Sequence, residues 1–180
     1  MKDPAFSDQH SAQRSLFPGV IIGIGLGGLV DGVALHQIAQ WHSMGSAKLP
    51  PTTLDPLRQN MGWDGWFHAA MLLLTITGIY SLRREAHGGR LLPEARPFTG
   101  QLLLGWGAFN LVEGILDHHI LEIHHVRDMP VHVPAYDWIY LGLGGLALLI
   151  LGWLLSHARG DANSSERQRN AAAQLRGPDA

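Results

Sequence analysis

Four apolar blocks, residues 16–41, 63–83, 99–121 and 136–157, limit what this chain can fold into. Each reaches the ~20 residues that cross a hydrocarbon core of ~30 Å. The second contains Leu72, Leu73 and Leu74 in a row, and the fourth runs from Ile139 to Leu155 without a charge. A soluble helical bundle would lay a Lys- and Glu-rich stripe along each helix. These blocks lack one. In lipid only helices and closed barrels satisfy their backbone polar groups. The expected fold is an all-α, integral-membrane bundle of four transmembrane helices.

Composition agrees once it is divided this way. Charged residues are 16% of the chain, against about 25% in ordinary soluble domains. The mean hydropathy of +0.05 averages lipid-grade blocks with polar connections. Having no Cys, the chain cannot build disulfides, zinc ribbons, CxxC redox motifs or a thiol nucleophile. With no basic patch, nucleic acid is not an expected partner.

The connections carry breakers: Pro50, Pro51 and Pro56 in 43–62, Gly88, Gly89, Pro93 and Pro97 in 84–98, Pro130 and Pro134 in 122–135. Residues 1–15 form a polar, mixed-charge segment. No clean small-x-small cleavage site follows the first block, so that block is expected to stay as a span. Residues 16–157 form the membrane domain, and 158–180 read as a disordered tail. Ten Lys and Arg fall on the side shared by 1–15, 84–98 and the tail, and three on the other. The positive-inside rule then places both termini in the cytoplasm. No internal repeat is convincing. Gly19, Gly23 and Gly27 make a small-residue stripe for close helix packing, with Gly145 and Gly152 as a counterpart. Packing within the bundle is the simpler use of it; a homo-oligomer or membrane-complex interface is the other.

Histidine is the anomaly: there are eleven, most of them in or beside the apolar blocks. The topology puts His36 and His42 in the outer half of the first helix. Asp64 and His68 fall at the outer end of the second, Glu113 to His125 in the outer half of the third, and Asp137 at the start of the fourth. Only Lys and Arg entered the orientation, so this gathering is independent of it. Intramembrane carboxylates and imidazoles normally face the bundle interior, pair with each other or bind something.

On a continuous α-helix, Asn110, Glu113, Asp117 and His124 share a face, and His118, Glu122 and His125 form the adjacent stripe. Asp64, His68, Met71 and Thr75 line one face of the second helix. His36 and Gln40 are a turn apart on the first, with Asp31 and His42 on another face. Imidazole with carboxylate is the ligand set for Fe, Zn and Cu(II), and helical bundles build such sites from facing helices. The expected ligands are His36, His68, His118, His119, His124 and His125, with Glu113 and Asp117 as carboxylates that also move protons. Asp31, Asp64, Gln40, His42 and Asn110 are expected behind them, orienting the ligands. Met44, Met61 and Met129, placed in the outer loops, would suit Cu(I).

Plainer readings compete. His10, His87, His132 and His157 read as surface residues. Asp64 and Asp137 suit helix N-termini, and Trp63, Trp66 and Trp138 an interfacial aromatic belt. His124, His125 and Arg127 could form a solvated helix end. Glu113 and Asp117 resist such accounts, because they fall near or beyond the midplane.

Three strings carry a resemblance: Asp31-Gly-x3-His36-Gln-x2-Gln40-Trp41-His42, Asp64-Gly-x-Phe-His68, and Asn110-x2-Glu113-Gly-x3-His118-His119-x4-His124-His125-Val-Arg127. They resemble an uncharacterised bacterial membrane-protein family, domain of unknown function 2243, over about residues 16–157. The resemblance implies a multi-pass protein of the bacterial inner membrane and brings no activity with it. A looser likeness, in chemistry alone, is to membrane di-iron hydroxylases and desaturases. Their His boxes are spaced differently and usually face the cytoplasm.

Four functions follow from the residues. The first is a metal-dependent oxidoreductase or hydrolase near the outer face. The second is copper or zinc handling, or assembly of a respiratory metalloenzyme, without turnover. The third is a b-type haem protein with axial His ligands such as His68 facing His118 or His36. The fourth is an ion pathway through Asp31, Glu113 and Asp117. The apolar inner halves of the spans argue against the last.

Overall fold

The computed structural model describes residues 17–88 and 94–157, so the expected polar N-terminal segment and disordered tail lie outside the described residues. Helix α1 is α-helical over Phe17–Asp31 and continues as a π-helix over Gly32–Ile38. Helix α2 is one long α-helix, Leu54–His87. Helix α3 is α-helical over Ala95–Glu113 and π-helical over Gly114–Ile120. Helix α4 runs through Pro134–Ile139, a π segment Tyr140–Ala147, and Leu148–His157. No strand occurs among the described residues.

Three of the helical runs, Pro18–Ile38, Leu54–His87 and Pro134–His157, are long and apolar enough to cross a membrane. Helix α3 falls short of that standard because it carries Gln101, Asn110, Glu113 and Asp117. Helix α2 begins well ahead of its apolar block. Pro56, which reads as a breaker, sits in its first turn, where a missing N–H costs nothing. Pro97 and Pro134 open α3 and α4 in the same way.

The burial pattern is inverted relative to a soluble bundle. Among the described residues Ile22 and Val126 alone make up the buried hydrophobic core, whereas thirteen polar or charged side chains are buried. Large apolar side chains point outward instead: Leu73 is 65% exposed and Leu143 68%. Such a surface is stable only against an apolar solvent.

Glycine sets the distance between helices. A Cβ on Gly23 would run into the Leu102 carbonyl, and one on Gly105 into the Val20 carbonyl, so α1 and α3 meet backbone to backbone. Gly19 faces Gln101 and Gly27 faces Trp106. The stripe on α1 is therefore used inside the bundle. Gly145 and Gly152 do not serve as its counterpart, because they face Leu111 and Leu104 of α3. Helix α1 packs on α2 through Gly25 and Gly78, and α3 packs on α4 through Gly107 and Gly152.

These contacts expose an internal repeat that the sequence reading missed. A constant offset carries Asp31, Gly32, His36 and His42 onto Glu113, Gly114, His118 and His124. Gln40 and Glu122, the two positive-φ non-Gly residues among those described, correspond as well (φ 52° and 47°). The contacts are reciprocal. Ala47 N donates to Ile123 O, and its counterpart Met129 N donates to Trp41 O. Reciprocity of this kind is the mark of a two-fold relation. The hairpins α1–α2 and α3–α4 are thus pseudo-two-fold copies, as in proteins built from parallel repeats. On the returning helices Asp64 matches Asp137 and Phe67 matches Tyr140, whereas Gly78 matches Gly152. The π segment of α4 takes up the extra residue.

Candidate metal centre

The π segments of α1 and α3 are what assemble the site. Asp31 and His36 are five residues apart, which on an α-helix leaves them about 140° apart around the axis. Winding by i→i+5 bonds brings them back onto one side. His36 Nε2 lies 3.4 Å from Asp31 Oδ2. In α3 the same step brings His118 Nε2 to 3.0 Å from Glu113 Oε1.

Each helix then ends and the chain doubles back. Trp41 N bonds to Leu35 O, and Ile123 N to Asp117 O, with Gln40 and Glu122 in the left-handed region between. A positive φ in such long side chains costs roughly 1–2 kcal/mol, and strain of this kind gathers at functional sites. The turn returns His42 to 3.9 Å from Asp31 Oδ2, and His124 to 2.8 Å from Glu113 Oε1. His124 therefore reaches Glu113 through a turn, not along the helical face that the spacing suggests. Likewise His42, expected behind the ligands, joins Asp31 and His36.

Two buried triads result: Asp31, His36 and His42, and Glu113, His118 and His124. In each, one ligand atom per residue lies within 4.8 Å of the others. The triads abut across the pseudo-axis. His42 stacks on His124 with ring centroids 4.7 Å apart and planes 11° from parallel.

Three of the four triad imidazoles are hydrogen-bonded through Nδ1, and the fourth, His118, turns a buried Nδ1 without a hydrogen-bond partner toward a carboxylate. His36 Nδ1 donates to Asp64 Oδ1 at 3.0 Å, and His118 Nδ1 faces Asp137 Oδ1 at 3.3 Å. His42 Nδ1 donates to the Val126 carbonyl at 2.9 Å, and His124 Nδ1 to the Met44 carbonyl at 3.2 Å. Each hairpin thus anchors the returning His of the other. With Nδ1 committed as donor in His36, His42 and His124, Nε2 of the neutral ring carries a lone pair aimed at Asp31 or Glu113. Lone pairs aimed at carboxylates repel unless a proton or a metal ion lies between them. His36 Nε2, His42 Nε2 and Glu113 Oε2 are buried without a hydrogen-bond partner.

Other expected site residues lie around this core or outside it. His68 is beside the first triad, its ring 6.2 Å from His36, and its Nε2 is buried without a hydrogen-bond partner. His119 turns away and packs on Trp138 at 4.8 Å. His125 pairs with Asp128 at 3.0 Å and stacks on His132, outside the buried cluster. Asp117 is half-buried on the next face of α3 and belongs to neither triad. Asn110 joins α3 to α4 through the Gly144 carbonyl and Tyr140 Oη. Met61 lies on α2 and not in a loop.

Sequence reasoning missed several residues. Asp137 read as a helix cap, yet it is buried, accepts the Val126 N–H at 2.8 Å and faces His118. Asn60 is fully buried and braces the 39–53 segment, accepting from Gly45 N and donating to the Leu49 carbonyl. The duplicated Asp-Gly-x3-His and Glu-Gly-x3-His strings were the available signal.

A cavity of about 390 Å³ leads to the first triad, lined by His36, His42 and Asp64 with Gln40, Met61 and Met129. The corresponding side of the second triad is occupied by His125 and His132, whose Nε2 lies 3.2 Å from Asp137 Oδ2.

A family model described as a predicted membrane protein (DUF2243) matches residues 18–159. The chain belongs to this family. The DUF2243 match takes in all four helices, both triads and the cavity. Comparisons with curated proteins and with solved structures found no match.

Proposed function

We propose that this DUF2243 chain is a four-span protein of the bacterial inner membrane with both termini cytoplasmic. Its buried His/carboxylate centre lies near the outer face and works as a metal-dependent oxidoreductase or hydrolase. One observation carries the reading. Three imidazoles are held at Nδ1 by Asp64 and two backbone carbonyls, the fourth, His118, turns Nδ1 toward Asp137, and all four present Nε2 toward Asp31 or Glu113. Orientation of metal-binding imidazoles by carboxylates and carbonyls is how proteins prepare such ligands. Fe, Zn and Cu(II) all suit the donor set. A bound ion would polarise a substrate or activate water. Glu113, with Oε2 unpaired, is the group placed to move a proton, and Asp117 is the next carboxylate along α3. The cavity beside His36 and His42 supports access for a small substrate.

Metal handling without turnover is the second reading. It is favoured by the half-exposed group of His125, His132 and Asp137 and by Met61 and Met129 in the cavity wall. Elemental analysis and a visible spectrum of the detergent-purified chain test both. Metal that stays bound through purification and is lost in His42→Ala supports a resident centre. Rapid exchange with free metal favours handling. A Soret band would support haem instead, and folded protein that binds no metal overturns the proposal.

A further inference from the structure

The repeat carries a consequence for what the centre holds. Each triad is complete in itself, with two imidazoles and a carboxylate converging within 4.8 Å. Each has a carboxylate of the returning helix at one Nδ1, hydrogen-bonded in the first triad and 3.3 Å away in the second, and a carbonyl of the opposite hairpin hydrogen-bonded at the other. The geometry points to a dinuclear centre. One divalent transition-metal ion is held by Asp31, His36 and His42, and a second by Glu113, His118 and His124, related by the pseudo-two-fold axis. This rests on the metal-centre reading above and goes beyond it in the number and placement of ions.

Charge supports two ions over one. Asp31, Asp64, Glu113 and Asp137 are all buried, and their ion pairs among the described residues are with His alone. Buried carboxylates require compensation. Two divalent cations balance four carboxylates with every imidazole neutral; a single ion leaves half of that charge to be met by protonated imidazoles, which cannot ligate through the protonated nitrogen. Proximity adds to this. His36 and His124 rings are 6.0 Å apart and His42 and His118 rings 6.3 Å, so ions in the two triads are close neighbours sharing one polar chamber. The halves differ in access. The cavity opens on the first triad, whereas His125 and His132 cover the second. The first ion is thus the one that meets a small ligand.

The test uses the full chain in detergent, stripped with chelator and titrated with Co²⁺, with bound metal counted by elemental analysis. The background is His132→Ala, which removes the half-exposed group from the count. Two equivalents are expected, falling to one in His36→Ala/His42→Ala and to one in His118→Ala/His124→Ala. A single equivalent that either double variant abolishes would show one ion shared between the halves. That outcome overturns the dinuclear assignment and leaves the metal-centre reading standing. No binding by the folded chain overturns both. Because the double variants could fail to fold, electron paramagnetic resonance of Cu²⁺-loaded unsubstituted chain gives an independent measure. Spin–spin broadening between one and two equivalents is expected, and two equivalents with unchanged line shape would place the second ion elsewhere and overturn the assignment.

Discussion

His42 and His124 lie face to face across the axis of the molecule, ring centroids 4.7 Å apart, each anchored at Nδ1 by the backbone of the opposite hairpin. Each hairpin supplies its own three ligands, and the other supplies the carbonyl that orients its returning imidazole. Replacing His42 by Phe keeps the stack and removes the donor. His42→Phe should fold normally, by circular dichroism and elution volume, while metal affinity falls at least tenfold in chelator competition. Unchanged affinity would remove His42 from the ligand set.

The carboxylates behind the imidazoles should matter without touching metal. Asp64 holds His36 and the Met44 N–H, and Asp137 holds Val126 N and faces His118. Asp64→Asn and Asp137→Asn should each weaken binding by about 10–100-fold, the usual cost of losing an orienting partner. Equal effects from the two would reflect their equivalence in the repeat. If only one matters, the halves are not functionally matched.

Helix contact through glycine predicts a paired stability effect. Gly23→Ala and Gly105→Ala press a methyl group into the facing backbone of α3 and α1. Overpacking of this kind costs about 1–3 kcal/mol. Both should lower the midpoint of thermal unfolding in detergent, whereas Gly62→Ala, which meets open space, should not.

Topology can be read chemically because the chain has no Cys. Lys48→Cys should react with a membrane-impermeant maleimide from outside intact spheroplasts, and Arg84→Cys only after permeabilisation. The reverse pattern would turn the centre toward the cytoplasm.

Much of the fold is legible in the sequence because lipid imposes a coarse rule. Apolar runs of sufficient length become helices whatever their detail, and the outward exposure of Leu73 and Leu143 is the same rule seen from outside. The breakers were harder. Pro56 and Pro134 open helices, since a proline in the first turn lacks only an N–H that has no partner there. The site was legible in its residue types, and less so in its grouping. Helical-wheel reasoning separated Asp31 from His36 and aligned His124 with Glu113 along one helix. It assumed 3.6 residues per turn where the chain winds wider and then stops.

By itself the sequence determined that this chain meets lipid and that its imidazoles and carboxylates concentrate at one end of the bundle. Both follow from composition summed over long segments, where local geometry averages out. Tertiary structure decided which of those groups meet. The π segments, the left-handed turns at Gln40 and Glu122 and the glycine contacts between α1 and α3 bring the two hairpins into register. Displacements of a few ångströms decide whether a nitrogen and a carboxylate oxygen can share an ion, and only the packed backbone fixes distances on that scale.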